Sequence, residues 1–507
     1  SLAAITALGV AMFAGLQASC RNLRLSADAL YDSQNLFDLR IQSTLGLTGE
    51  DLSALAALEG VQEAEGGVSL TVKAGDAEGK AEARSFEEGG LNQPYLVEGE
   101  LPQGPGQAAV TRSYLTDTGA QLGDTVTLTL TGEEEEDGPG LARESFVLTG
   151  VVLDPMDLNN RESAAAFRVT GGADYTFFLT PEDLTGDTFT DLYLTLEGAG
   201  ELDCYSEEYE ALVSEATRRV ESQAQAGREE ARWQEVKAQG EAEWADAKAK
   251  AEAELADAQA ELEEGWAELE DAQAEIDAGR AQIKAGWKEF NSSMADFEAQ
   301  AKDARDEINR AKAELDASLV TLEEAETELE DARAQLAEGE EDYAQGLADW
   351  EEGQAEYQDA KAEAEAELAD ARAQLDSLEK ARWYVQDRTS LSSYSNLSSD
   401  TASIEALGIM FPVIFLTVAV LISLTSVTRM VEEERGLIGL YKALGYGAGA
   451  VCGKYLFYAA AACLLGSALG QVGGYLLMPL FMEGIFRQMY LLPAYLLSFD
   501  LAFGLGG

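Results

Sequence analysis

The chain has 507 residues, with 35 lysine and arginine residues against 93 aspartate and glutamate residues and a formal net charge of -58. A surface of this sign repels phosphate backbones and excludes nucleic acid as a partner. Because 46% of the residues are hydrophobic, the acidity does not indicate a disordered chain, and the length suffices for several domains.

Residue usage also argues against an enzyme. The chain contains no histidine, which removes the commonest general base and the commonest transition-metal ligand. The four cysteines are Cys20, Cys204, Cys452 and Cys463, and their scattered positions favour neither a disulfide framework nor a zinc site. A disulfide between Cys20 and Cys204 stays open. We therefore expect no catalytic residue, cofactor or metal. We interpret the abundant carboxylates as lying on solvated faces of the long helical segment.

Residues 1–20 are predicted to form the first transmembrane helix. The run 2–16 is almost uninterruptedly apolar, and Arg21 and Arg24 follow it. A cleaved signal peptide is the alternative, but the basic region that precedes the apolar core of such a peptide is absent. We expect this helix to be truncated.

Residues 21–203 are predicted to be an α+β domain outside the membrane. Thr48, followed three residues later by Asp51, suggests a helix start, with leucines at helical spacing after it. Alternating and β-branched runs between turn-forming residues predict strands. These runs are 37–43, 68–73, 108–111, 125–131, 145–153, 175–179 and 192–196.

Residues 204–388 are predicted to be a long antiparallel α-helical coiled-coil hairpin. Large apolar residues recur every seven positions from Leu255 to Phe290 and again from Ile308 to Tyr357, each followed three positions later by a small residue. This period requires helices supercoiled about a partner. The pattern breaks at Asn291, Ser292 and Ser293, which we predict to be the hairpin tip. Arms of about 85 to 95 residues would be on the order of 130 Å long.

Residues 389–403 are predicted to be a polar linker that leads to two further membrane helices. The apolar runs 404–427 and 451–482 are long enough to cross a bilayer. Gly466, Gly470 and Gly474 share one face of the second run and predict close helix packing in lipid. Residues 483–507 are expected to be an outside loop and the truncated start of a fourth helix.

Between these two helices, residues 428–450 form a short segment that carries Arg429, Arg435 and Lys442. Short loops rich in lysine and arginine stay in the cytoplasm, so 21–403 should lie outside. Gly453 and Lys454 come close to a phosphate-binding motif, but Ala448 and Tyr455 stand where glycine and serine or threonine are needed. We do not expect this chain to bind ATP.

The same segment resembles the cytoplasmic loop of FtsX-like and MacB-like ABC transporter permeases. In that family an arginine, an Ile-Gly pair and a basic-Ala-Leu-Gly element recur in this order between two membrane helices. The matching residues here are Arg435, Ile438, Gly439, Lys442, Ala443, Leu444 and Gly445. The resemblance implies that this loop couples the chain to a separate or fused ABC ATPase. It also implies a bacterial plasma membrane location.

The chain is thus predicted to be a multi-domain membrane protein with transmembrane α-helices, an α+β extracytoplasmic domain and a coiled-coil hairpin. The resemblance implies a type VII ABC permease subunit that passes movement across the membrane, as a homodimer or with a second membrane half of the same longer chain. Export or extraction of a lipophilic or peptide substrate and control of an extracellular protein at the hairpin tip both remain open. The alternative is a membrane-anchored coiled-coil adhesin or structural stalk.

Overall fold

The computed structural model describes residues 2–131, 138–161, 172–303 and 311–498, and every structural statement below concerns these residues. The predicted start of a fourth membrane helix falls partly in 499–507, outside the described residues. The chain divides into two compact units. The first contains Ser1–Trp233 and Lys380–Gly507, and the second contains Gln234–Glu379.

The described residues form nine α-helices in the two units. They are α1 (Leu2–Ser33), α2 (Gly49–Ala56), α3 (Arg112–Thr118), α4 (Glu207–Arg219), α5 (Ala226–Asp303), α6 (Ala311–Asp376), α7 (Ser392–Glu433), α8 (Arg435–Ala443) and α9 (Ala448–Met489). A π-helical segment, Val220–Gln225, joins α4 to α5. The predicted start of α2 is confirmed, since Thr48 and Asp51 form a reciprocal capping box.

The strands all belong to the first unit. They are β1 (Leu39–Leu47), β2 (Val61–Gly67), β3 (Ser69–Ala74), β4 (Ala81–Ser85), β5 (Tyr95–Gly99), β6 (Gln107–Thr111), β7 (Thr125–Leu130), β8 (Gly140–Leu141), β9 (Ser145–Leu153), β10 (Tyr175–Leu179), β11 (Leu184–Thr185), β12 (Phe189–Leu196) and β13 (Trp383–Asp387).

Two sheets form the β part of the first unit. One is antiparallel, in the order β13-β1-β12-β2. The other has the order β5-β9-β6-β10-β4-β3-β7, and an additional pairing of β7 with β9 closes it into a barrel of six strands with β5 on its outside. Buried aliphatic and aromatic side chains, among them Phe146 and Phe177, fill the barrel. Closure leaves few free strand edges.

A second hydrophobic core, distinct from that of the barrel, lies between the antiparallel sheet and helices α1, α4 and α7. It contains Leu23 and Tyr31 of α1, Val213 of α4, and Tyr394 and Leu397 of α7. The C-terminal half of α1 and the first turns of α7 are therefore packed against the β-rich part of the molecule. This core fixes the position of the two helices at the point where they leave it.

The second unit contains the greater part of α5 and all of α6, and the two helices contact each other from Gly240 and Leu375 to Gly286 and Leu329. The indole N–H of Trp244 on α5 donates to Leu368 O on α6 at 2.9 Å, and that of Trp350 on α6 donates to Leu262 O on α5 at 3.0 Å. The residue numbers of contacting pairs thus run in opposite directions. Glycine seam positions such as Gly286 face large ones such as Leu329.

The predicted tip at Asn291, Ser292 and Ser293 is wrong, because α5 runs through all three residues and ends at Asp303. The three side chains are exposed, where polar residues that favour helix caps cost a helix little. Phe297 lies seven positions after Phe290 and continues the seam past them. The connection from α5 to α6 falls in 304–310, outside the described residues.

Two other predicted boundaries also need correction. The second long helix ends at Asp376 and not at 388, because Trp383–Asp387 forms β13 and pairs with β1. Residues 389–403 are not a simple linker, since α7 begins at Ser392. The first turns of α7 are helical because buried side chains at helical spacing, such as Tyr394, Leu397 and Thr401, hold one face against the core.

Candidate coupling site

The segment 428–450 contains a short helix, α8, between the ends of α7 and α9. Gly445 has a φ of 93° just after α8, and its N–H donates to Lys442 O. A residue in the left-handed backbone conformation at this point ends a helix, and its N–H satisfies one of the last carbonyl groups. Glycine adopts this conformation without steric cost. The Ala-Leu-Gly part of the motif is thus the end of α8.

All residues of α8 are exposed except Ile438, which is half-buried. No residue of the helix is buried, and Leu437, Leu440 and Leu444 are 48%, 53% and 67% exposed. Arg435 and Lys442 are exposed beside these leucines. Contiguous exposed apolar side chains with cations next to them are typical of a surface that contacts another protein.

Glu434, which directly follows α7, forms hydrogen bonds to side chains at the start of α9. Its Oε2 accepts a hydrogen bond from the Lys454 ammonium at 2.5 Å and from the Tyr455 hydroxyl at 2.8 Å, both on α9. These two bonds lower the pKa of the Glu434 carboxyl. Because Glu434 lies between α7 and α8, this carboxylate connects the turn between them to the start of α9. Sequence patterns indicated nothing about this contact beyond a run of three acids, Glu432 to Glu434.

The three glycines at four-residue spacing lie against α1. A Cβ atom at Gly466 or Gly474 would come within 2.5 Å of Ala3 O or Ala11 O, and one at Gly470 would collide with Ala7 O. Three successive turns of α9 therefore approach the backbone of α1 more closely than any side chain permits.

Arg388 forms a buried cluster where the chain returns from α6 towards α7. Its Nη2 lies 3.0 Å from Asp38 Oδ1, and its guanidinium donates to Leu36 O and Phe37 O at 2.9 Å each. The same guanidinium lies over the rings of Tyr31 and Tyr209. This cluster joins the chain just after the C-terminal end of α1 to α4 and to the segment that follows β13.

Tyr209 and Tyr394 extend the Arg388 cluster to α4 and α7. The Tyr209 hydroxyl donates to Asp38 Oδ1 at 2.6 Å, and Tyr394 donates to the carbonyl oxygen of Cys204. The ring of Tyr394 stacks on that of Tyr205 with centroids 4.6 Å apart. Burial and the proximity of Asp38 hold the pKa of Tyr209 well above its ordinary value, so this hydroxyl stays a donor.

A second connection joins the end of α9 to the barrel. Leu491 N–H donates to Leu158 O at 2.7 Å, and Asn160 N–H donates to Met489 O at 2.9 Å. The segment that contains Leu158 follows β9 and begins at Asp154, whose buried carboxylate binds Arg84 of β4 at 3.0 Å. Sequence motifs indicate neither connection, because the partners are far apart in the chain.

One group of potential metal ligands occurs in the described part of the chain. Carboxylate oxygens of Asp28 and Asp203 and the Cys204 sulfur lie within 4.8 Å of one another. The Cys204 N–H donates to Asp28 at 3.0 Å, and burial raises the pKa of the Cys204 thiol well above its ordinary value. A protonated thiol is a poor metal ligand. All four cysteines are free.

Among the described residues, three helices are long and apolar enough to cross a membrane. They are Ala3–Ser33, Ser392–Glu433 and Ala448–Met489. Large apolar side chains on the last two are more than half exposed, for example Leu424 and Phe457. Such surfaces are stable in lipid or against another membrane helix.

A comparison with protein-family models agrees with the loop motif. Residues 409–507 match the family model described as FtsX-like permease C-terminal, which confirms the resemblance to FtsX-like permeases for this part of the chain. The search of curated proteins found no match. Solved structures that are similar include one described as the extracellular domain of the noncanonic ABC-type transporter YknZ from Gram-positive bacteria, with 11% identity, a TM-score of 0.22, and coverage of 35% of this chain and 93% of that chain.

Proposed function

We propose that the chain is a permease subunit of an ABC transporter complex in a bacterial plasma membrane, with residues 21–403 on the extracytoplasmic side. In this proposal a partner ATPase hydrolyses ATP and moves α8, and the movement is passed through the membrane helices to the β-rich part and to α5 and α6. The observation that carries the proposal is the exposed cationic helix α8 between two apolar helices, within a segment that matches FtsX-like permeases.

In this proposal the movement passes from α8 through a series of side-chain and backbone contacts. Glu434 links α8 to α9, and Gly470 on α9 lies against α1. The outer end of α1 is joined to α4 and β13 through Arg388 and Asp38. Helices in such close contact transmit displacement because packed interiors resist compression. No substrate needs to cross the bilayer along this route.

We further propose that α5 and α6 form an antiparallel coiled-coil hairpin that acts as a lever or a docking arm. The alternation of large and small seam residues and the opposite direction of the contacts support this assignment. A substrate pocket does not require an arm on the order of 100 Å, the length of about 65 to 80 helical residues. Control of an extracellular partner is therefore favoured over export of a lipophilic or peptide substrate.

The working unit contains more membrane helices than the three described here. Exposed leucines and phenylalanines on α7 and α9 provide a surface for them. We propose a homodimer or a second membrane half of a longer chain as the source. A simple adhesin or stalk would have no use for the exposed apolar and cationic surface of α8.

Reconstitution with an ABC ATPase encoded beside this chain tests the proposal. The full chain in lipid nanodiscs is expected to stimulate ATP hydrolysis, and the double substitution Arg435→Glu and Lys442→Glu is expected to abolish the stimulation. Arg429→Glu is the matched control, because Arg429 already pairs with Glu433 within α7. Equal stimulation by the double variant in a folded chain would contradict the proposal.

A further inference from the structure

A long groove runs along one face of the α5 and α6 pair. Its volume is about 1980 Å³, and it extends from Glu261 to Gln300 on α5 and from Leu315 to Trp350 on α6. At about 1.5 Å per helical residue, its length is on the order of 60 Å. We call this feature the seam groove.

The floor of the seam groove is apolar and uneven. Large side chains such as Ile276, Leu329 and Leu336 alternate with small residues such as Gly279 and Ala332. Small residues at every second seam position leave holes between the large ones. Holes of this kind accept the apolar side chains of a further helix in multi-stranded coiled coils.

The walls of the seam groove are acidic on both helices. Carboxylates line it at intervals of seven or fourteen residues, and all of them are exposed. They are Glu261, Glu268, Glu275, Glu289 and Asp296 on α5, and Glu328, Asp342 and Asp349 on α6. No lysine or arginine is among the described residues that line it.

The opposite flank of the seam differs in charge. There Arg280 of α5 pairs with Glu340 of α6 at 2.9 Å, as expected for flanking positions that stabilise a helix pair. In the seam groove both helices contribute carboxylates and neither contributes a cation among the described residues that line it, and like charges at flanking positions disfavour a helix pair. A cationic partner would remove this repulsion.

We propose that the seam groove binds a basic amphipathic α-helix of a partner protein, with an apolar stripe on the floor and lysine or arginine residues along both walls. The groove's length fits a helix of roughly 40 residues. A second copy of α5 and α6 carries the same acidic rows and is repelled. This inference goes beyond the proposed coupling at α8 and does not depend on it.

Binding of a designed peptide to the full chain tests the inference. The probe is a fluorescently labelled helical peptide of about 35 residues, with leucines at seam positions and lysines at flanking positions, measured by anisotropy without ATP. We expect saturable binding that weakens as salt rises from about 0.05 to about 0.5 M, because salt screens exposed charges. A scrambled peptide of the same composition is expected to bind at least about tenfold more weakly, since it cannot place its leucines on the floor.

Two charge-matched variants locate the binding site. The groove variant replaces four wall carboxylates by amides, namely Glu268→Gln, Glu275→Gln, Asp342→Asn and Asp349→Asn. The control variant replaces four exposed acids that do not line the groove, namely Glu264→Gln, Glu270→Gln, Glu330→Gln and Asp331→Asn. We expect the groove variant to lose about tenfold or more in affinity and the control to lose less than about twofold.

The helical circular dichroism of both variants verifies folding, and the groove variant is expected to melt no earlier than the parent because it removes repulsion. Equal binding of the scrambled peptide, or an equal loss in the control variant, would show unspecific attraction by the acidic chain and overturn the inference. Self-association of the chain that only the groove variant abolishes would identify a second copy as the occupant and would overturn it as well.

Discussion

Arg388 Nη2 lies 3.0 Å from Asp38 Oδ1, and the two side chains are only 6% and 2% exposed. Asp38 lies between α1 and β1, whereas Arg388 directly follows β13, the strand after α6. The pair thus connects the chain just after the C-terminal end of α1 to the chain just after β13. Asp38 also accepts hydrogen bonds from the Tyr209 hydroxyl and from Leu196 N–H.

Substitution Arg388→Met is expected to destabilise the chain by roughly 3–5 kcal/mol, because it leaves the Asp38 carboxylate buried without its cation. Thermal or chemical unfolding of the full chain in nanodiscs measures this loss. Arg112→Met is the control, since Arg112 and Glu98 are 50% and 64% exposed at 3.9 Å and such pairs contribute less than about 1 kcal/mol. Equal stability of the Arg388→Met variant and the parent would refute the assigned role.

Gly470 and Gly473 provide a matched pair on α9. A Cβ at Gly470 meets the backbone of Ala7, whereas one at Gly473 meets nothing within 4 Å. Gly470→Leu is expected to separate α9 from α1 and to lower the melting temperature in detergent, while Gly473→Leu is expected to leave it unchanged. A similar melting temperature for both leucine variants would argue against the close contact.

Glu65 on β2 makes part of the stability depend on pH. Burial raises the pKa of this carboxyl from 4.5 to about 7, although Leu91 N–H donates to it. The folded state therefore binds a proton that the unfolded state releases between about pH 4.5 and 7, and the free energy of unfolding rises as the pH falls through this window.

Glu65→Gln removes this dependence while keeping an acceptor for Leu91 N–H. Its melting temperature is expected to exceed that of the parent most above pH 7, and the difference is expected to vanish near pH 4.5. Glu88→Gln is the control, because Glu88 is exposed. A difference that does not change with pH would contradict the raised pKa of Glu65.

Glu434 is expected to connect α8 to α9 in the working complex. Glu434→Gln weakens the bonds from Lys454 and Tyr455 and should reduce ATPase stimulation without lowering the melting temperature. Glu433→Gln is the matched neighbour, because Glu433 bonds only to Arg429 among the described contacts. Full stimulation by the Glu434→Gln variant would remove Glu434 from the proposed route.

Patterns along the chain predicted those strands whose own residues alternate or are β-branched. β7 and β9 lie where the pattern indicated them, and so does β10. β2 was missed because its sequence is polar and ends in two glycines, so that its pairing with β12 orders it. β13 was missed although Trp383 and Val385 favour strands, because it follows a long helical pattern.

The candidate site was predictable only where its residues are neighbours in the sequence. The motif from Arg435 to Gly445 is local, and the apolar runs on both sides indicated its place between helices. The contacts of Arg388 with Asp38 and of Leu491 with Leu158 join residues from distant parts of the chain. Hydrophobic periodicity along the sequence does not predict such pairs, since they result from packing of the whole first unit.

The central claim is that movement at α8 reaches the extracytoplasmic side. The most direct measurement is the distance between spin labels at Tyr384→Cys on β13 and Gly484→Cys near the end of α9, in a background with the four native cysteines replaced. Both positions are exposed, and the chain is reconstituted with its ATPase. The account predicts a distance distribution that shifts when ATP is added and does not shift with Arg435→Glu and Lys442→Glu. Identical distributions with and without ATP, in a complex that hydrolyses ATP, would contradict it.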